Sequence, residues 1–129
     1  MTEFSKAEWE RAQVALNSAR HFVESDPDAA GSRAYYAAFY GLTAFFALRG
    51  QHFTKHSSIR AALHRDLVHQ GIIDEEAGKE YDLLMDARET GDYGGAAHVT
   101  EKGARAAVDM AARFLAAVER ACPDVAKID

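Results

Sequence analysis

The sequence has one cysteine, two prolines and no long apolar run. With Cys122 alone, no disulfide can form within the chain, and a reducing compartment is the simpler setting. Pro27 and Pro123 leave long uninterrupted stretches free to be helical. The longest uncharged stretch, Ala34 to Leu48, is shorter than the roughly 20 residues a helix needs to span a bilayer. The first residues, Met1 to Glu10, are polar and acidic, unlike a secretory signal. A cytoplasmic protein with no membrane segment is therefore expected. Basic residues are in deficit too: 15 Lys and Arg stand against 20 Asp and Glu, a net charge of −5. Broad non-specific binding to nucleic acid or anionic membrane needs a basic footprint that this balance excludes. A local basic pocket is still allowed.

What is present fits one helical domain over residues 1–129. That length holds one hydrophobic core and is too short for two. Apolar residues at 48% and charged residues at 27% are an ordinary globular balance. Five segments read as helices, and no strand pattern, repeat or low-complexity segment is found. The first spans about Lys6 to Glu24, with Ser5 and Glu8 at capping-box spacing. Trp9, Ala12, Leu16, Ala19 and Val23 form its apolar stripe. Asp26-Pro27-Asp28 is read as a break. The second helix, about Ala29 to Arg49, is apolar on nearly every face and must be covered all round. That makes it the centre of a bundle or part of a subunit interface. Its small residues Ala34, Ala37, Ala38, Gly41 and Ala44 permit close approach of a neighbour, and Gly50 stops it.

A loop from Gln51 to His56 leads to a third helix, capped by Ser57 or Ser58 and ending before Gly71, with Ile59, Leu63 and Leu67 inward. Asp74 caps a fourth helix to about Thr90, with Ala77, Tyr81 and Leu84 inward. Residues 91–95, Gly91-Asp92-Tyr93-Gly94-Gly95, read as a turn. A fifth helix spans about Ala97 to Cys122, with Val99, Ala106, Met110, Phe114 and Ala117 inward, and the tail from Asp124 to Asp129 is expected to fray. The expected fold is all-α: an up-down four-helix bundle with one additional helix.

Arg88 is the most informative position. It continues the inward steps 77, 81 and 84, so a guanidinium falls on a buried face. A buried charge must be paired and hydrogen-bonded. Asp92, one turn on, is within reach of a bidentate contact, and Tyr93 adds a phenol. Two readings stay open. The arginine meets a phosphate or a partner's carboxylate in a polar pocket, or the pair simply caps the helix and fixes the turn. A second cluster, Thr54-Lys55-His56-Ser57, precedes a helix, where Lys55 and His56 would favour an anion, or it is an ordinary polar loop. The six histidines, His21, His52, His56, His64, His69 and His98, form no dense cluster with cysteine or carboxylates. No metal and no cofactor is expected.

Three segments together resemble the HEPN domain family. They are Ser32-Arg33-Ala34-Tyr35-Tyr36-Ala37-Ala38-Phe39-Tyr40, then Thr54-Lys55-His56-Ser57-Ser58-Ile59, then Arg88 through Asp92-Tyr93. They are similar, in order, to the family's aromatic second helix, its threonine/lysine–histidine–serine loop and the R-x3-D-Y signature of its prokaryotic branch. The resemblance implies a helical bundle that dimerises through long helices. It also implies a minimal nucleotidyltransferase as partner, in a toxin–antitoxin-like pair. Many members are metal-independent ribonucleases with an R-x4-6-H motif, whose arginine holds the phosphate while the histidine assists proton transfer.

This chain departs from that motif. Five residues after Arg88 stands Tyr93, and positions 92–95 hold no histidine. A phenol is a poor base at neutral pH. The sequence is therefore read as a non-catalytic homodimeric module that binds a nucleotide or a nucleotidyltransferase partner. Arg88, Asp92, Tyr93, Lys55, His56 and Arg33 are the candidate ligand-binding residues. The alternative is a metal-independent ribonuclease toxin acting on RNA through Arg88 with Tyr93 or His56.

Overall fold

The computed structural model describes residues 2–127. Five α-helices follow one another: α1 (Thr2–Phe22), α2 (Pro27–Leu48), α3 (His56–Ala62), α4 (Glu75–Tyr93) and α5 (Glu101–Ala121). A π-helical turn (Leu63–Val68) continues α3, and a 3-10 turn (Pro123–Ala126) follows α5. No strand occurs among the described residues. The fold is the expected all-α bundle with five helices.

α2 is the central helix and packs against α1, α4 and α5. Its small residues are all buried, and two of its aromatics, Tyr35 and Phe46, fill the interior. Gly41 lets α5 come close: a Cβ there would overlap Leu115 Cδ2. One stripe of α2, including Arg33, Tyr36 and Tyr40, is only half-buried. The expected stripe of α1, from Trp9 to Val23, lies in the core. Gly50 and Gly71 end their segments at φ of 76° and 73°, left-handed geometry that glycine adopts without strain.

Several local expectations are corrected. Ser5 does not cap α1. The helix begins at Thr2, and the buried Ser5 hydroxyl donates to the Ala44 carbonyl of α2 at 2.8 Å. Glu8 is buried and pairs with Arg11 at 3.0 Å. The break at Asp26-Pro27 stands as expected, but α2 begins at Pro27, two residues earlier than read: the missing N–H costs nothing in a first turn, and Asp26 caps by accepting from the Ala29 N–H. Ser57 and Ser58 lie inside α3, with Lys55 at the N-cap and no side-chain cap bond. Asp74 caps α4 as expected.

α4 runs on through Gly91, Asp92 and Tyr93, so these residues are helix and not turn. α5 begins at Glu101, capped by Thr100, four residues later than read. Its inner face is Ala104, Ala107, Val108, Ala111, Phe114, Leu115, Ala117 and Val118, so Phe114 and Ala117 point inward as expected, Ala106 is exposed, and Val99 precedes the helix. The tail as far as Lys127 is not frayed, since Val125 in the 3-10 turn is buried in the core. The part of that expectation covering residues 128–129 lies outside the described residues.

Candidate functional site

Two close approaches bring the end of α4 against the start of α2. Gly91 rests on the Asp28 backbone, where a Cβ would lie 2.5 Å from the carbonyl oxygen. The Asp28 carboxylate accepts from the Val99 N–H at 2.7 Å and meets His98 Nδ1 at 2.7 Å. The Val99 amide first, then His98, hold this carboxyl below its ordinary range. Together these contacts fix the α4–α5 connection to α2 and set where Arg88 and Asp92 sit.

Arg88 lies mostly buried among aromatic rings. Its guanidinium carbon is 5.6 Å from the ring centres of Tyr36 and Tyr93 and 5.7 Å from that of Tyr35. Such contacts favour a cation over the ring face. The bidentate pairing with Asp92 does not form. Only Nε approaches Asp92 Oδ2, at 3.6 Å, and that oxygen accepts instead from the Ser32 hydroxyl at 3.2 Å. The reason is positional: with α4 continuing, Asp92 lies a full turn beyond Arg88 and is drawn toward buried Ser32 of α2. Arg88 Nε is consequently the one buried side-chain polar atom among the described residues with no hydrogen-bond partner. Such an atom is costly to leave unsatisfied.

His56, the first residue of α3, packs on the same rings. It stacks on Phe39 with centroids 4.3 Å apart and lies 5.7 Å from Tyr35 and 6.0 Å from Tyr36. Its Nδ1 is 2.6 Å from the Tyr35 hydroxyl, and the Tyr81 hydroxyl donates to that of Tyr35 at 3.5 Å. Burial pushes both phenols above their ordinary range, so both keep their protons. Burial first, then the charge of Arg88, lowers the pKa of His56 below 6.5. The groups facing His56 are thus the rings of Phe39, Tyr35 and Tyr36, with the Arg88 cation acting across them.

This shift has a consequence for stability. Below pH 6.5 the unfolded chain binds a proton at His56 that the folded chain resists. Stability should therefore fall as pH drops from 6.5 toward the lowered folded value. Thermal melts of wild type and His56→Gln between about pH 7.5 and 5.5 isolate this contribution. The wild type should lose more Tm than the variant over that range; equal losses would contradict the lowered value.

The six residues expected at a site are not all together. Arg88 and His56 lie on Tyr35 and Tyr36, and Asp92 and Tyr93 lie beside Arg88. Tyr93 is 73% exposed, so one ring face is open to solution. Arg33 also lies over Tyr36, 5.7 Å from the ring centre, and borders a groove with Arg11 and Tyr40. Lys55 is an exposed N-cap residue beside His56. Sequence reading placed Arg33 of α2 at the site but missed Tyr35, Tyr36 and Ser32, taking the aromatic residues of α2 for core or interface. The available signal was two tyrosines in an apolar helix, since a buried phenol needs a hydrogen-bond partner. His52 makes no pair with His56 and instead meets the Phe4 ring edge-on at 5.4 Å. Among the described residues no group of three or more His, Cys, Asp or Glu converges as metal ligands would. No helix among them is long and apolar enough to cross a membrane.

Comparison with known proteins bears on this arrangement. The family described as "HEPN domain" matches residues 5–121. A protein of Thermotoga maritima called "UPF0332 protein" is 34% identical over 116 residues, covering 89% of this chain and 88% of its own length. The crystal structure of TT1696 from Thermus thermophilus superposes with a TM-score of 0.77 at 25% identity, covering 91% of this chain and 97% of that one.

Proposed function

We propose, from the premise that this chain belongs to the HEPN domain family, that it is a non-catalytic, homodimeric binding module of the cytoplasm. The ligand is a nucleotide, whose phosphate meets Arg88. Asp92, Tyr93 and His56 stand round it, with Arg33 and Lys55 at the edges. The proposed protein partner is a minimal nucleotidyltransferase in a toxin–antitoxin-like pair. The observation that carries this reading is Arg88: a guanidinium held by ring faces, with a buried Nε left without a partner. A phosphate meeting the terminal guanidinium nitrogens would supply the charge-assisted hydrogen bonds that Asp92 does not, while Nε itself stays enclosed. The open face of Tyr93 offers a surface on which a base can stack. The half-buried Arg33, Tyr36 and Tyr40 stripe of α2 is the surface a second copy would cover.

A second reading has one specific observation in its favour. His56 stands on the same rings as Arg88, so an arginine and a histidine meet without the family's R-x4-6-H spacing. On this reading the protein is a metal-independent ribonuclease.

Calorimetric titration with AMP separates the two, together with labelled RNA incubated in EDTA. Wild type should bind AMP and leave the RNA intact. Arg88→Ala should weaken binding by more than about tenfold, the scale of losing a charge-assisted contact. RNA cleavage that Arg88→Ala abolishes would overturn the binding reading. Light scattering of the same samples should return a dimer; a monomer at every concentration would remove the second copy from the proposal.

A further inference from the structure

We infer that Tyr81 and Tyr35 form a buried hydroxyl relay that fixes His56 as its Nε2–H tautomer, making it a neutral hydrogen-bond donor for the phosphate group bound by Arg88. This rests on the binding reading above and adds the chemistry of recognition: a phosphate group is held by one cation and one neutral donor, and is not cleaved.

The argument is one of proton parity. Tyr81 is fully buried and closes one end of the chain of contacts. Its hydroxyl has a single partner, the oxygen of Tyr35, to which it donates. Tyr35 is also fully buried, and the remaining partner of its hydroxyl is His56 Nδ1 at 2.6 Å. If Nδ1 carried a proton and donated to Tyr35, the Tyr35 hydroxyl would have to turn toward Tyr81. The Tyr81 proton would then point at no acceptor within the protein, away from bulk solvent. Only one orientation satisfies every member: Tyr81 to Tyr35, and Tyr35 to Nδ1. The neutral imidazole must then hold its proton on Nε2. Nε2 makes no hydrogen bond among the described residues and is not fully enclosed, and His56 as a whole is half-buried. Its ring and the Arg88 guanidinium flank the same two tyrosines.

The tautomer bears on chemistry as well. A general base needs a lone pair at the nitrogen facing the substrate, and Nε2–H has none. A general acid would need the imidazolium, which burial first and then Arg88 disfavour. What Nε2–H can do is donate to an oxyanion. Tyr81 and Tyr35 are positioning residues in this scheme and touch no ligand.

Nitrogen NMR of the histidine rings in the full-length protein reads the tautomer directly. His56 should show a pyridine-type Nδ1 and a protonated Nε2 in wild type. In Tyr35→Phe the forced tautomer should be lost. Titration then uses AMP, inorganic phosphate and adenosine as probes. AMP and phosphate should bind, and adenosine should not. His56→Leu should weaken AMP by about tenfold, the scale of one hydrogen bond to a charged group, while His56→Gln, which keeps a donor at that place, should retain most of the affinity. A protonated Nδ1 in wild type, or equal losses in His56→Leu and His56→Gln, would overturn this inference and leave an Arg88-dependent site standing. Adenosine binding as well as AMP would overturn the phosphate role. Failure of wild type to bind AMP or phosphate, with the tautomer as stated, would overturn the binding reading itself.

Discussion

Replacing Phe114 with alanine should cost about 3–5 kcal/mol of stability, the range for truncating a fully buried aromatic side chain. Phe114 is completely buried on the inner face of α5. Its ring lies 5.2 Å from that of Tyr81, which lies 5.7 Å from that of Tyr35. The truncation therefore opens a cavity at the base of the stack that ends at His56. For a domain with a total stability of about 5–15 kcal/mol, such a loss is a large share of the whole. Urea unfolding followed by circular dichroism measures it. A loss below about 1 kcal/mol would mean that the neighbours collapse into the space and that the ring is no keystone of this core. The folded fraction should also hold His56 less uniquely, because Tyr81 can then tilt away from Tyr35.

Gly91→Val should have the next largest effect, a loss of about 1–3 kcal/mol, the range for overpacking a site that cannot yield. The obstacle is the backbone of Asp28, whose oxygen, carbon and Cα lie 2.5, 3.2 and 3.4 Å from where the Cβ would be. A flexible side chain could swing aside, but this backbone is held by its own helix and by the Val99 and His98 contacts. Relief must come from α4 lifting off α2, which moves Arg88 and Asp92 together. The paired measurement is unfolding stability and AMP affinity, and both should fall. Retained affinity with reduced stability would show that strain relaxes away from the site. Unchanged stability would show that the junction is loose.

Most of the fold was legible in the sequence because the strongest signals were periodic. The α1 stripe, the uniformly apolar α2, the Asp74 cap and the Gly50 and Gly71 stops all stand where the pattern put them. Errors came where a local motif was overruled by a distant partner. Ser5 looks like a cap until Ala44, 39 residues away, supplies a carbonyl. Gly91 looks like a turn until the Asp28 backbone shows why a residue without a Cβ is needed inside a helix.

The site divides in the same way. Arg88 was legible because a charge in an apolar rhythm is conspicuous. The bidentate pair with Asp92 was not, since Ser32 competes from 60 residues away. The relay through Tyr35 was hidden for a similar reason. Tyrosines in a hydrophobic helix advertise their rings, and nothing local says that a hydroxyl will meet a histidine 21 positions on.

The wide turn at Leu63–Val68 begins one residue before His64, which meets Asp82 at 3.0 Å, while His56 at the start of α3 is tied to Tyr35. A uniform α-helix advances by about 100° per residue, so one anchor would dictate the azimuth of the other. The π-helical winding changes that advance from His64 onward, on the way to Leu67. The segment thus carries two rotational phases, one holding His56 and His64 at their partners and the other keeping Leu67 in the interior.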